Sequence, residues 1–124
     1  MSVDEGLVAW VHEALEPLGA VTMRKMMGGA TFYLDGTVFA ITDEGELWFK
    51  ADGETDATWD SGGCERFSMT FKDGRVGTMN YRRAPSDVYD DAEVMQRWAR
   101  LALEASLRAA AKKKPRRAKR ADAP

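Results

Sequence analysis

Val21-Thr-Met-Arg-Lys-Met-Met-Gly-Gly-Ala-Thr-Phe-Tyr-Leu-Asp-Gly-Thr-Val-Phe-Ala-Ile-Thr-Asp-Glu-Gly-Glu-Leu-Trp-Phe-Lys50 decides the fold. Its apolar residues recur with a period of two, and Asp35-Gly36 and Asp43-Glu-Gly45 are turn signals. The turns cut the stretch into short runs around Met23–Met27, Thr31–Leu34, Thr37–Thr42 and Leu47–Lys50. Connections this short return each strand beside its predecessor, so the runs predict consecutive antiparallel hairpins.

Upstream the period is helical. Ser2-Val-Asp-Glu5 has the form of a capping box, and Leu7, Trp10, Val11, Ala14 and Leu18 follow on one face, with an end near Pro17-Leu-Gly19. Downstream, residues 53–61 hold Trp59 among acids and threonines before Gly62-Gly63, which predicts a short helix or turn stopped by glycine. Phe67, Met69 and Phe71 then alternate against Arg66, Ser68 and Thr70. Lys72-Asp-Gly74 turns the chain, and Met79 and Tyr81 alternate against Thr78, Asn80 and Arg82, a second hairpin. After Ala84-Pro85-Ser86, Asp90 or Asp91 can cap a last helix with Val94, Trp98, Leu101, Ala105 and Leu107 or Arg108 at helical spacing. Glu93 to Arg97 and Glu104 to Arg108 are i,i+4 pairs in the favourable direction. Strands that alternate have one face to bury, and two amphipathic helices with Trp10 and Trp98 supply the cover. The predicted fold is an α+β two-layer sandwich: an antiparallel sheet of about five or six strands packed against N- and C-terminal helices.

A chain of 124 residues supports one core, and 44% hydrophobic with 31% charged residues is the balance of a globular protein. The longest apolar run, Leu7 to Val11, is too short to span a bilayer, and the acidic N-terminus lacks the apolar segment of a secretory signal. A cytoplasmic location with no membrane contact is expected. Residues 112–124 hold seven of the 18 Lys+Arg and one of the 20 Asp+Glu, so a body of net −8 carries a tail of net +6. The expected organisation is a domain over 1–111 and a disordered basic tail over 112–124, with Pro115 breaking any helix that enters it. Lys112, Lys113, Lys114, Arg116, Arg117, Lys119 and Arg120 suit weak, sequence-independent attraction to nucleic-acid phosphates; they equally suit a solubilising extension or one folded back on the acidic body.

Chemistry is sparse. Cys64 is the one cysteine and His12 the one histidine, which excludes an internal disulfide, a Cys-x-x-Cys redox pair and a four-cysteine zinc cage. Glycine-rich phosphate loops, zinc-protease helices, serine elbows and calcium loops have no match. His12 falls on the charged flank of the first helix, and Cys64 precedes Glu65, whose charge disfavours a thiolate. Asp35, Asp43, Asp73 and Asp90 sit at turns or caps, which accounts for them without general acid–base work. Met23, Met26, Met27, Met69 and Met79 lie in predicted strands, where core filling is the expected role and an adaptable partner groove the alternative. No catalytic residue, cofactor or metal is expected. Arg24 and Lys25 before Gly28 and Gly29 are the one candidate anion- or partner-binding group in the body, with Arg82 and Arg83 joining it if strand order brings them together. Against that, paired glycines in a strand mark a bulge or a close approach.

Arg24-Lys-Met-Met-Gly-Gly29, Tyr33-x-x-Gly36-x-x-Phe39-Ala40, Leu47-Trp-Phe-Lys50, Met79-x-Tyr81 with Pro85 four residues on, and the Trp98-Ala-x-x-Ala102 helix together resemble the TfoX N-terminal domain family. The resemblance covers nearly all of residues 3–110, with Met27 standing where the family commonly has Phe. It implies an α+β domain with an antiparallel sheet, and a relation to TfoX/Sxy regulators of natural competence that act with a cyclic-AMP receptor protein at promoters. Full-length regulators have a second, C-terminal domain where this chain has its basic tail. The expected function is a non-enzymatic cytoplasmic regulatory or adaptor protein that binds an unidentified protein partner, with weak DNA contact through the tail. A small-molecule or anion-binding module built on Arg24, Lys25 and Gly28-Gly29 is the alternative, and a homodimer through a strand edge or Met-rich face a third reading.

Overall fold

The computed structural model describes residues 5–26 and 29–122, with side chains described for 5–25 and 29–112. Helix α1, Glu5–Leu15, runs into a single 3-10 turn, Glu16–Leu18, where Pro17 cannot continue an α-helix. The Ser2 half of its expected capping box lies outside the described residues. Four strands follow: β1 Val21–Met26, β2 Gly29–Leu34, β3 Thr37–Asp43 and β4 Glu46–Lys50. They form the antiparallel meander that the turn signals predict. Asp35-Gly36 and Glu44-Gly45 both have two successive positive φ angles, 50° and 84°, then 52° and 79°. That is the geometry whose twist matches a two-residue hairpin. Helix α2, Asp56–Ser61, is short and ends at Gly62. Strands β5, Arg66–Thr70, and β6, Val76–Arg83, form the second hairpin. A 3-10 turn, Ser86–Tyr89, which the sequence pattern does not announce, leads into α3, Ala92–Asp122. Asp91, not Asp90, caps α3: its Oδ1 accepts the backbone N–H groups of Glu93 and Val94 at 3.0 and 3.2 Å.

The six strands make one antiparallel sheet in the order β1-β2-β3-β4-β6-β5, because β6 and not β5 returns beside β4. The helices lie on one face, giving the two-layer α+β sandwich expected from the alternation. Phe32, Phe39, Leu47, Phe49 and Trp59 are fully buried there against Val11 and Leu15 of α1 and Met95, Ala99 and Ala102 of α3. Each such large side chain contributes about 2 kcal/mol or more by leaving water. Trp10 and Trp98 flank this core and are only partly buried. Trp10 Nε1 donates to the Val88 carbonyl at 2.7 Å. Trp98 stacks on Trp59 with centroids 4.7 Å apart, and Trp59 in turn on Phe49 at 5.7 Å.

Two expectations need correction. Val94, Trp98 and Leu101 pack against the core and Ala105 is buried, as expected, but Leu107 is 58% exposed, and the fully enclosed stripe of α3 is Met95, Ala99, Ala102, Ala105 and Ser106. The small side chains of Ala99, Ala102 and Ala105 let the helix axis approach the sheet closely. Pro115, expected to break the last helix, does not end α3, which runs to Asp122. Ala, Lys and Arg are strong helix formers, which favours continuation. No helix among the described residues is long and apolar enough to cross a membrane.

Candidate functional site

Arg82 and Arg83 are neighbours in sequence, but a strand turns consecutive side chains to opposite faces. Arg82 points to the helix side and is 3% exposed. Helix α2 presents Asp56 and Asp60 four residues apart on one face, and both carboxylates accept from Arg82: Nη2 to Asp56 at 3.1 Å and Nη1 to Asp60 at 2.7 Å. Nη1 also donates to the Cys64 carbonyl at 2.8 Å. Arg66 joins the group, donating to Asp56 at 3.2 Å and to Asn80 Oδ1 at 2.7 Å. This cluster ties α2 and the loop after it to the sheet. Its arginines are consumed by the fold and offer a ligand little.

Arg83 lies on the other face, paired with Glu46 at 3.0 Å and Glu65 at 3.4 Å, its guanidinium 5.1 Å from the Trp48 ring centroid. Beside it a recess of about 660 Å³ is lined by Glu46, Gly62, Cys64, Arg83, Pro85 and Tyr89, among others. Arg83 and Glu46 there are paired with each other, and Tyr89 OH accepts the Leu47 N–H at 2.9 Å. Burial pushes the Cys64 thiol up from its ordinary value, with Arg82 opposing the shift. The weak nucleophile expected from Cys64 therefore has burial as its main cause, not the adjacent Glu65.

Arg24 and Lys25 are exposed on β1, at the far edge of the sheet. Three strands separate β1 from β6, so the two cation pairs lie about 19 Å apart at ordinary strand spacing. The structure does not bring them together. Gly28 lies outside the described residues, while Gly29 has a packing role. A Cβ there would overlap the Thr42 carbonyl oxygen, with the carbonyl carbon 2.9 Å away. Thr42 Oγ1 also accepts the neighbouring Ala30 N–H at 2.9 Å. The glycine permits a close β2–β3 approach.

His12 is exposed on α1, its Nδ1 2.9 Å from the Val8 carbonyl. Asp73 accepts from the Arg75 N–H at 3.0 Å, the local turn work expected of it, whereas Asp35 accepts from the Ala20 N–H at 3.3 Å, 15 residues away, and ties the turn to the entry of β1. No group of acidic, cysteine or histidine side chains among the described residues is arranged to hold a metal. Lys112 is exposed; the side chains of Lys113, Lys114, Arg116, Arg117, Lys119 and Arg120 lie outside the described residues.

The feature that sequence reading missed is the face of the sheet without helices. Ile41, Trp48 and Tyr81 form a second buried cluster there, with Phe67 against it and its ring edge-on to Trp48 at 4.9 Å. Lys50 Nζ sits 5.2 Å from the Tyr81 ring centroid. The cluster passes into exposed apolar surface on the β5–β6 hairpin: Met69 is 36%, Phe71 43%, Val76 69% and Met79 38% exposed. Core filling is thus overturned for Met69 and Met79, whose side chains face solvent. The signal was present in the alternation of β5, but alternation does not say which face has a cover.

The model of the TfoX N-terminal domain matches residues 13–106, from the last turn of α1 to the inward-facing part of α3. The chain belongs to the TfoX N-terminal domain family. Among curated relatives it is similar to the DNA transformation protein TfoX1 of Aliivibrio fischeri, 33% identical over 67 residues, 54% of this chain and 32% of that protein. It is also similar to Protein Sxy of Escherichia coli, 30% identical over 101 residues, 78% of this chain and 46% of that protein. The chain thus spans between a third and a half of the length of these relatives. In TfoX-domain terms, the matched region contains the Arg82 cluster and the open sheet face and stops short of the basic segment from Lys112.

Proposed function

We propose that this TfoX-domain chain is a non-enzymatic regulatory or adaptor protein of the cytoplasm, linked to DNA transformation as its relative TfoX1 is by name. The body docks a protein partner, and Lys112, Lys113, Lys114, Arg116, Arg117, Lys119 and Arg120 add sequence-independent attraction to nucleic-acid phosphate. The observation that carries the reading is the family match across the whole sheet, α2 and the first half of α3. The charge division supports it, because a body of net −8 repels phosphate and leaves that work to the +6 segment. The pairing of Arg82, Arg66 and Arg83 with carboxylates supports docking over small-anion binding.

Fluorescence anisotropy of duplex DNA across a salt series tests the nucleic-acid part. With all seven cations engaged, log K against log salt slopes by up to about −6. Replacing the seven with glutamine should abolish both affinity and slope, and equal binding by the variant refutes the role. Affinity capture from the native cell tests the docking part, and recovery of only a metabolic enzyme removes the link to transformation.

A further inference from the structure

We infer that a second copy of this chain pairs with the first along β5, edge to edge, about a two-fold axis near Ser68, so that the two sheets and the aromatic clusters on their open faces become continuous. A sheet with free edges presents rows of unpaired N–H and C=O groups, and natural proteins guard such edges with charge, proline or cover. The two edges here differ. β1 carries exposed Arg24 and Lys25 at its centre, a guard against pairing. β5 carries Phe67, Ser68, Met69 and Thr70 with no charge among them and no proline, and Ser68, Met69 and Thr70 are exposed.

Arg66, the one charged residue of β5, stands at its end with its guanidinium on Asp56 and Asn80. A two-fold axis at Ser68 sets Arg66 opposite Thr70 of the second copy and Phe67 opposite Met69, so apolar faces apolar and no like charges meet. Among the described residues, four of the six large exposed hydrophobics, Met69, Phe71, Val76 and Met79, lie on this one hairpin, which places apolar surface at this edge. Met69 shares the face of Phe67, two residues away, so pairing extends the Trp48–Phe67–Tyr81 cluster across the axis.

Charge separates a second copy from a nucleic acid as the occupant. Arg83 and Arg75 on this side are held by Glu46, Glu65 and Asp73, which leaves them little charge to offer a phosphate, while the uncharged centre of the strand suits its own copy. Five paired residues and their flanking side chains bury on the order of 1,000 Å² in total, the lower end for a specific complex.

Sedimentation velocity of the full chain from about 1 to about 300 µM tests this. The expected mass rises from 13.8 kDa toward twice that value. The Met69→Lys, Phe71→Lys double variant should raise the dissociation constant at least about tenfold, since two charges enter an apolar contact, while keeping the monomer's circular dichroism. A second measurement avoids any folding cost: oxidation of Ser68→Cys. Paired residues at the axis lie about 5 Å apart between Cα atoms, within disulfide reach, whereas Thr22→Cys on β1 should not cross-link. Native Cys64, 5% exposed, serves as the unreactive background. A monomer at every concentration, a dimer indifferent to both lysines, or cross-linking through Thr22→Cys overturns the assignment. So does protection of the β5 amides by an oligothymidylate probe in a chain that stays monomeric.

Discussion

Methionine in place of Arg82, compared with methionine in place of Arg83, separates two side chains that are adjacent in the sequence and alike in chemistry. Arg82 is 3% exposed and donates at 2.7, 2.8 and 3.1 Å to Asp60, the Cys64 carbonyl and Asp56. Methionine keeps most of the packing of the aliphatic stem but none of these bonds. The Cys64 carbonyl loses its charged donor at a cost of about 1–3 kcal/mol. Asp60, 68% exposed, rehydrates, and Asp56 retains Arg66 at 3.2 Å, so the carboxylates are not stranded. The net destabilisation is about 3 kcal/mol, the lower end for breaking a buried ion pair. Arg83→Met removes a guanidinium that is 44% exposed and should cost less than about 1 kcal/mol. Urea unfolding at neutral pH measures both: at a slope near 1.5 kcal/mol/M the Arg82→Met midpoint falls by about 2 M with the slope unchanged. Equal, small losses for the two variants would refute the assignment of Arg82 to the fold and return it to the list of ligand-binding candidates.

Gly29→Ala should destabilise by about 3 kcal/mol, because a Cβ meets the Thr42 backbone and separating the strands strains the Ala30 N–H to Thr42 Oγ1 bond; a thermal melt within about 1 °C of the parent would contradict this. Asp52 gives a pH signature. Hydrogen bonds from Arg108, at 2.7 and 3.1 Å, and from Thr55 hold its carboxyl at about 2 against an ordinary 3.8, despite the opposing effect of burial. Its contribution to stability is therefore complete above about pH 4 and lost as the pH falls through about 2. Between those values the urea midpoint of the parent should fall more steeply than that of Asp52→Asn, and parallel curves would remove the group from acid unfolding.

Arg108 shows how local rules can point to the wrong partner. Its i,i+4 spacing from Glu104 is a sound helix pattern, yet its guanidinium reaches Asp52, 56 residues away, with Glu54 at 3.6 Å. A bidentate carboxylate on a packed loop outcompetes a single solvated neighbour on the same helix. The Arg24-Lys25-Met-Met-Gly28-Gly29 segment divides in a similar way. Its cations are exposed on an edge strand, while Gly29 answers to the backbone of β3.

The amino-acid order by itself determined the six strands, the first and last helices, the hairpin turns at Asp35-Gly36 and Glu44-Gly45, the two-layer class and the family, since each rests on periods of two or 3.6 residues and on turn chemistry within a few positions. Tertiary structure alone decided that β6 lies beside β4, that α3 faces the sheet with alanines, that Arg82 is enclosed while Arg83 is not, and that the Trp48 cluster has no helix over it. Those outcomes depend on which distant surfaces meet. A strand's alternation names two faces equally well, and only packing of the other layer chooses the one to be covered.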